Sequence, residues 1–227
     1  MQAGQIMYND RVEDSVLLQR KEKAKEIIKR LRKEYKNPTT ALSYSSPFEL
    51  VAATILSAQA TDKLINSITP ELFKKYPTIQ TFAQANVIEL DNEIKRVNFH
   101  VNKTKNIIAA AKMIMEKYNG KVPDTMEELD ELPGVARKTA NVVLCHVFKK
   151  NEGVVVDTHV MRLAQRLGLT DKKDPVKIEL DLIKVIPKDD WCDFSSMLIF
   201  FGRQYCPARP HQCPDCPLGK LCPDKLN

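Results

Sequence analysis

Apolar residues recur at helical spacing along most of this chain, and almost no segment alternates as a strand would. In residues 24–35, for example, apolar side chains fall on one face of a helix that is otherwise rich in lysine and arginine. The one run of β-branched residues, Val154–Val156, is only three residues long. The chain contains only seven glycines, which suits helices joined by short turns. The sequence therefore predicts an all-α fold.

Three positions have the composition of helix starts. Residues 46–49 (Ser-Pro-Phe-Glu) place a serine at the N-cap, a proline at the first helical position and a glutamate suited to a capping box. Thr125 and Glu128 repeat the capping-box spacing, and Asp174 with Pro175 opens a third helix. The nearly continuous apolar run after Glu49 predicts that the first of these helices is buried.

The chain carries a net charge of +6, which favours an anionic partner without identifying one. No apolar run approaches the roughly 20 residues that a helix needs to cross a bilayer. Residues 1–14 mix both charges and lack the apolar centre of an export signal. We therefore expect a cytoplasmic protein without a membrane partner.

A tight turn, Pro133-Gly134-Val135-Ala136, separates two predicted helices. Such a turn directs several backbone N–H groups the same way, next to a helix N-terminus, and forms an anion site that a DNA phosphate would fit. Contacts of this kind position a duplex but do not read its sequence. A plain corner between two helices remains the alternative interpretation of the turn.

Lys138 lies in the first turn of the helix that follows. The positive end of a helix destabilises an ammonium group and favours the neutral amine, and partial burial beside Val135 and Val142 is expected to act in the same direction. A neutral lysine amine is the species that forms Schiff bases. A solvated lysine that only touches a phosphate is the simpler alternative.

Asp157 precedes the next predicted helix and has the residue type of an N-cap. A capping carboxylate can also stabilise positive charge that develops on a sugar, so the two roles are compatible. His159 would then lie in the first turn of that helix, where we expect it to contact a phosphate or the substrate.

Four cysteines near the C-terminus are spaced C-x6-C-x2-C-x5-C: Cys206, Cys213, Cys216 and Cys222. Five prolines stiffen the loops around them, namely Pro207, Pro210, Pro214, Pro217 and Pro223. Four thiolates on stiff loops suit a tetrahedral zinc ion or a [4Fe–4S] cluster, and chemistry alone leaves both open. Zinc knuckles more often use two CxxC pairs, whereas this segment has one. A disulfide framework is disfavoured in a chain that is not exported.

Together these motifs resemble those of the endonuclease III family of DNA glycosylases, within the helix–hairpin–helix superfamily. The resemblance extends from about Thr40 to Cys222. Residues 56–62 (Leu-Ser-Ala-Gln-Ala-Thr-Asp) are similar to the family's motif near its DNA intercalation loop, and residues 132–144 match its hairpin and catalytic helix. Residues 156–159 (Val-Asp-Thr-His) match the catalytic aspartate segment, and the cysteine spacing is that of the family's [4Fe–4S] cluster.

The resemblance implies a two-lobed, all-α helix–hairpin–helix glycosylase fold with DNA in the cleft. Residues 40–150 would form a helical-barrel lobe that contains the hairpin. Residues 1–39 and 151–227 would together form a discontinuous lobe that ends in the [4Fe–4S] cluster loop. The cluster would be mainly structural.

The same resemblance implies a bifunctional DNA N-glycosylase and DNA-(apurinic or apyrimidinic site) lyase that excises oxidised pyrimidines in base excision repair. Lys138 would attack C1′ of the damaged nucleotide, expel the base and form a Schiff base, after which β-elimination nicks the strand. Asp157 would assist base loss and proton transfers. The partner would be double-stranded DNA with a damaged base or an abasic site. The protein would act as a monomer, associated with the nucleoid if the source is prokaryotic.

In this scheme Gln59 fills the gap left by the flipped nucleotide, and Phe99 stands where the family has a second wedge. Arg209, in the loop beside the cluster, would touch the DNA backbone. The residues expected to contact DNA are Gln59, Phe99, Pro133, Gly134, Val135, Ala136, Arg137, Thr139, His159 and Arg209.

Three positions depart from the family's pattern. Ala136 replaces the second glycine of the hairpin and would be strained if that position required a positive φ. Asn98 and His100, on either side of the wedge, replace the usual glycine and tyrosine. None of these departures removes a catalytic group.

Two alternatives are compatible with parts of the sequence. A monofunctional relative that excises adenine or mismatched thymine would share the fold and the cluster, but such relatives typically lack a lysine at position 138. A non-catalytic DNA-binding module with a structural metal is the other alternative. Such a module has no need for both Lys138 and Asp157.

Overall fold

A computed structural model describes residues 2–209, 213 and 215–223, with side chains from Asp14 onward. Within these residues the regular structure is α-helix, apart from one 3₁₀-helix at Lys188–Asp190, and no strand occurs among them. The α-helices are α1 Gln2–Glu34, α2 Pro47–Ser57, α3 Asp62–Lys75, α4 Ile79–Ala83, α5 Val87–Ile94, α6 His100–Lys117, α7 Met126–Asp130, α8 Arg137–His146, α9 Thr158–Arg166, α10 Pro175–Val185 and α11 Trp191–Gln204. The predicted all-α class is confirmed.

The chain divides into two compact units, and each has its own apolar core. One unit joins Met1–Thr39 to Gly153–Asn227, and the other is Thr40–Glu152. No helix in the described part of the chain is long and apolar enough to cross a membrane.

Helix α2 lies at the centre of the Thr40–Glu152 unit. Nearly all of its side chains are buried, and it contacts α3, α6 and α8. The Ser46 hydroxyl accepts a hydrogen bond from the Glu49 N–H at 3.3 Å, so the predicted N-cap is confirmed. The Glu49 carboxylate reaches back one residue further than a capping box requires and accepts from the Ser45 N–H at 2.6 Å. Burial of the whole helix explains its nearly continuous apolar sequence.

The remaining helices of this unit position the predicted hairpin. The Thr125 hydroxyl accepts from the Glu128 N–H at 3.3 Å and thereby starts α7, as predicted. Helix α8 follows after a six-residue connection, residues 131–136, and buries Ala140, Val143 and Leu144 in the shared core. Packing against α2 and α7 therefore fixes the start of α8.

The other unit is built on α9 and α11, with α10 packed against α1. Val160 and Leu163 form the buried face of α9, and Phe194 with Phe201 lies on the buried face of α11. The Asp174 carboxylate accepts from the Lys177 N–H at 3.0 Å and caps α10, as predicted. This arrangement fixes two segments that carry predicted site residues, the N-terminus of α9 and the chain that leaves the C-terminus of α11.

Candidate functional site

The chain reverses between α7 and α8 in a tight turn. The Val135 N–H donates to the Leu132 carbonyl at 2.9 Å, and Gly134 has a φ of +81°. This is the pattern of a type II turn, which needs a positive φ at its third residue and favours proline at its second, here Pro133. A Cβ at Gly134 would lie 2.8 Å from the Cβ of Asn106. Both the backbone and the available space therefore require glycine at this position.

Ala136 directly precedes α8, and its backbone is extended, with φ −101° and ψ 167°. Any residue adopts this conformation. The position does not require a positive φ, so Ala136 is not strained. Within the described residues, no side chain caps the first turn of α8. Its leading N–H groups can therefore donate hydrogen bonds to an outside acceptor, such as a phosphate oxygen.

Lys138 is the second residue of α8, between the exposed Arg137 and the half-buried Thr139. The Lys138 side chain is itself exposed, so the expected partial burial beside Val135 and Val142 is wrong. The buried positions of α8, residues 140, 141 and 143–145, begin two residues after Lys138, so the core does not reach the start of the helix. The Lys138 amine is therefore accessible, as a nucleophile must be.

Gln59 and Phe99, the two predicted wedge residues, share an unusual backbone conformation. Gln59 has a φ of +55° and Phe99 a φ of +59°, in the left-handed region that few L-residues occupy. Both side chains are exposed, and that of Phe99 retains 61% of its accessible area. Gln59 lies in the turn between α2 and α3, and Phe99 is the residue that precedes α6.

Two residues of the Phe99 segment bind the Gln59 turn directly. The Asn98 side-chain amide donates to the Gln59 carbonyl at 3.2 Å. Lys103 is buried, and its Nζ donates to the Leu56 carbonyl at 2.8 Å and to the Ala58 carbonyl. Burial lowers the pKa of Lys103. No sequence pattern assigns a role to Lys103 or more than a departure to Asn98, because these contacts join residues 39 to 47 positions apart.

His100, the other departure beside the wedge, anchors the start of α6. Its ring Nδ1 lies 2.7 Å from Oδ1 of Asp91, and the Thr104 hydroxyl donates to the same oxygen at 3.2 Å. The histidine thus connects the first turn of α6 to α5. It holds the helix that follows Phe99 in place.

In the other unit, Asp157 caps α9 as predicted. Its Oδ1 accepts from the Val160 N–H at 2.8 Å, and this bond uses one of the two carboxylate oxygens. His159 is half-buried in the first turn, with Nδ1 3.5 Å from Nη2 of Arg162. Gly202 on α11 packs closely against that ring, since a Cβ there would lie 2.9 Å from Nδ1. The contact of His159 with DNA stays a prediction.

The four tail cysteines are not disulfide-bonded, with Cys206 buried and the other three half-buried. Burial raises the pKa of the Cys216 thiol, and the charges of Cys213, Cys206 and Cys222 raise it further. Cys216 therefore lies within electrostatic range of each of the other three thiols. Across residues 2–209, 213 and 215–223, no group of three or more His, Cys, Asp or Glu side chains is arranged to hold a metal ion. Two of the prolines assigned to these loops, Pro210 and Pro214, lie outside the described residues.

Two arginines of α9 donate hydrogen bonds to Cys206 and its neighbour in the chain. Arg166 Nη1 donates to Cys206 Sγ at 3.1 Å and to the Pro207 carbonyl at 3.3 Å. Arg162 Nη2 donates to the Cys206 carbonyl at 2.7 Å. Among the described residues, Arg162 Nε is buried without a hydrogen-bond partner. Arginine donors beside Cys206 suit the chemistry of an anionic sulfur cluster, because hydrogen bonds and positive charge offset the negative charge of such a group.

Arg209 is exposed, three residues after Cys206. Its role toward DNA stays a prediction, because the loop continues into residues 210–212, which lie outside the described part of the chain.

Comparison with known proteins agrees with this fold and these motifs. Residues 52–188 match the model of the HhH-GPD superfamily base excision DNA repair proteins. The endonuclease III of Synechocystis sp. is 50% identical over 204 residues, covering 90% of this chain and 93% of the relative.

Two solved structures are similar to the whole fold. One is a non-covalent endonuclease III–DNA complex and the other a trapped endonuclease III–DNA covalent intermediate. Each is 40% identical, has a TM-score of 0.83, and aligns over 89% of this chain and 95% of its own. This chain therefore belongs to the endonuclease III family, within the HhH-GPD superfamily of base excision DNA repair proteins.

Proposed function

We propose that this protein is a DNA glycosylase and AP lyase that removes oxidised pyrimidines from duplex DNA in base excision repair. The observation that carries the proposal is Lys138, an exposed amine in the first turn of α8 directly after the Pro133–Gly134 turn. Membership of the endonuclease III family supports it, as does the similarity to a family member that was trapped covalently on DNA.

In the proposed chemistry Nζ of Lys138 attacks C1′ of the damaged nucleotide, the bond from C1′ to the base breaks, and the base leaves with the bonding electrons. The proton that the nitrogen then loses balances the one that the base takes up. Cleavage of the C1′–O4′ bond, with a proton added to O4′, opens the sugar and gives a protonated Schiff base between Nζ and C1′. Removal of a C2′ proton then breaks the C3′–O bond by β-elimination. Water finally hydrolyses the Schiff base and restores the lysine.

Asp157 assists these steps as a carboxylate. One of its oxygens holds α9 by capping, which fixes the direction of the group. The carboxylate stabilises the positive charge that builds up on the sugar as the base departs, and it can accept and return protons. This role is compatible with the capping bond because that bond uses a single oxygen.

The remaining predicted contacts bind and open the duplex. The uncapped start of α8 and the Gly134 and Ala136 N–H groups of the turn before it bind a backbone phosphate, since the Val135 N–H is used within the turn. Gln59 and Phe99 enter the base stack where the damaged nucleotide is flipped out, a step that is least costly at damaged pairs. Arg137, Thr139 and His159 add contacts near the helix starts, and the exposed Arg209 lies beside the cysteines.

Cys206, Cys213, Cys216 and Cys222 would hold a [4Fe–4S] cluster, which, when bound, ties the C-terminal loops together through four iron–thiolate bonds. The electrostatic influence of the other three thiols on Cys216 and the hydrogen bonds donated by Arg162 and Arg166 support this assignment. Purified protein should contain iron and acid-labile sulfide in equal amounts. Because one chain supplies both Lys138 and Asp157, we also propose a monomer that acts in the cytoplasm, at the nucleoid if the source is prokaryotic.

The proposal is tested with a labelled duplex that contains a single thymine glycol, beside an otherwise identical undamaged duplex. We expect release of the damaged base and a nick on its 3′ side without alkali treatment, and no cleavage of the undamaged duplex. Nicking that appears only after alkali would show a monofunctional glycosylase. Binding without base release would show a non-catalytic module.

A further inference from the structure

The turn that carries Gln59 is held from outside by residues of the Phe99 segment. The last carbonyl groups of a helix have no partner within it, so α2 needs donors beyond its C-terminus. Lys103 supplies two of them, to Leu56 and Ala58, and its charge suits the negative end of the helix. The Gln59 carbonyl, one residue further along, accepts from Asn98. Hydrogen bonds to the carbonyl groups of Leu56, Ala58 and Gln59 therefore hold the backbone of the turn.

The two proposed wedges are coupled by this arrangement. Asn98 directly precedes Phe99, so the hydrogen bond to Gln59 joins the backbone of one wedge to the residue next to the other. The backbones of Gln59 and Phe99 both occupy the left-handed region. A residue other than glycine keeps this conformation only where the surrounding structure holds it. Without the bond from Asn98, the Gln59 turn is free to relax toward a commoner conformation and redirect its side chain.

We infer that Asn98 is a positioning residue for Gln59, and through it for the insertion of both wedges into DNA, an inference that rests on the proposed function. Asn98 is exposed, so its amide contributes little to the core. Lys103 is buried and anchors the turn. Asn98 therefore sets the direction of the exposed Gln59 side chain and contributes little to the stability of the fold.

The test compares Asn98→Ala with a control variant, Asn102→Ala. The control removes an exposed side-chain amide of the same type from the first turn of α6. Base release from a thymine glycol duplex is measured at limiting enzyme, and a 2-aminopurine opposite the lesion reports unstacking by the inserted side chains. We expect Asn98→Ala to lower kcat/KM about fivefold, the effect of one hydrogen bond, and to reduce the 2-aminopurine signal. Asn102→Ala should match the wild type in both measurements.

A double-mutant cycle with Gln59→Ala separates positioning from a general structural role. If Asn98 acts through the Gln59 side chain, Asn98→Ala causes no further loss in the Gln59→Ala background. Independent, multiplying losses would overturn the inference, and so would wild-type behaviour of Asn98→Ala.

Borohydride trapping of the same variants on a preformed abasic site distinguishes this inference from the proposed function. If all variants are trapped normally but the losses in base release of Asn98→Ala and Gln59→Ala multiply in the double mutant, only the role of Asn98 is contradicted. Absence of trapping by the wild-type protein contradicts the proposed function and the inference together.

Discussion

The Nη1 group of Arg166 donates a hydrogen bond to the sulfur of Cys206 across 3.1 Å. Arg166 ends α9, the helix that Asp157 begins, and Cys206 follows α11. A single short helix thus carries the proposed catalytic carboxylate at one end and a donor to a proposed cluster ligand at the other.

Arg166→Leu should lower the reduction potential of the bound cluster. A hydrogen bond to a thiolate sulfur stabilises the more reduced, more negative state. Loss of about 1 kcal/mol corresponds to a fall of about 40 mV in a one-electron couple. Voltammetry of the purified, iron-loaded protein measures the shift. Lys177→Leu removes an equal charge from an exposed position of the same unit and should leave the potential unchanged; an equal shift in both variants would mean that charge alone sets it.

Asp157→Asn should separate the capping role of Asp157 from its chemistry. Asparagine caps helices as well as aspartate does, so we expect the free energy of unfolding to change by less than about 0.5 kcal/mol. Base release should fall by at least about a hundredfold, because the amide neither accepts a proton nor carries charge. Asp174→Asn is the control, since Asp174 caps α10 with the same geometry. If base release falls equally in Asp157→Asn and Asp174→Asn, or in neither variant, Asp157 acts only as a helix cap.

Gly134→Ala should destabilise the hairpin and weaken DNA binding. The positive φ and the contact with Asn106 together cost about 2 kcal/mol or more. Ala136→Gly, two residues away, replaces a residue in an extended conformation and should cost less than about 1 kcal/mol. Urea unfolding and binding to an abasic duplex measure both effects. A larger loss for Ala136→Gly than for Gly134→Ala would contradict a type II turn at residues 132–135.

The fold and much of the candidate site could be predicted from the sequence because the signals are local. Ser46, Thr125 and Asp174 cap helices through bonds to residues three positions ahead, which the sequence places next to each other. The hairpin turn is equally local, since Pro133 and Gly134 set its backbone by themselves.

What the sequence could not predict depends on contacts between distant segments. The bond from Asn98 to Gln59 spans 39 positions, and that from Arg166 to Cys206 spans 40. No spacing rule links such pairs before the chain has folded. The exposure of Lys138 is equally hard to predict, because it depends on how far the surrounding core extends toward the start of α8.

Borohydride trapping on a duplex with a single abasic site tests the central claim most directly. Lys138→Ala is compared with Lys112→Ala, which removes an exposed lysine from α6. We predict a covalent protein–DNA adduct for the wild type and for Lys112→Ala, and none for Lys138→Ala, because the reduced bond joins Nζ of Lys138 to C1′. An adduct that persists in Lys138→Ala, or its absence from iron-loaded wild-type protein, would contradict the assignment of Lys138 as the nucleophile.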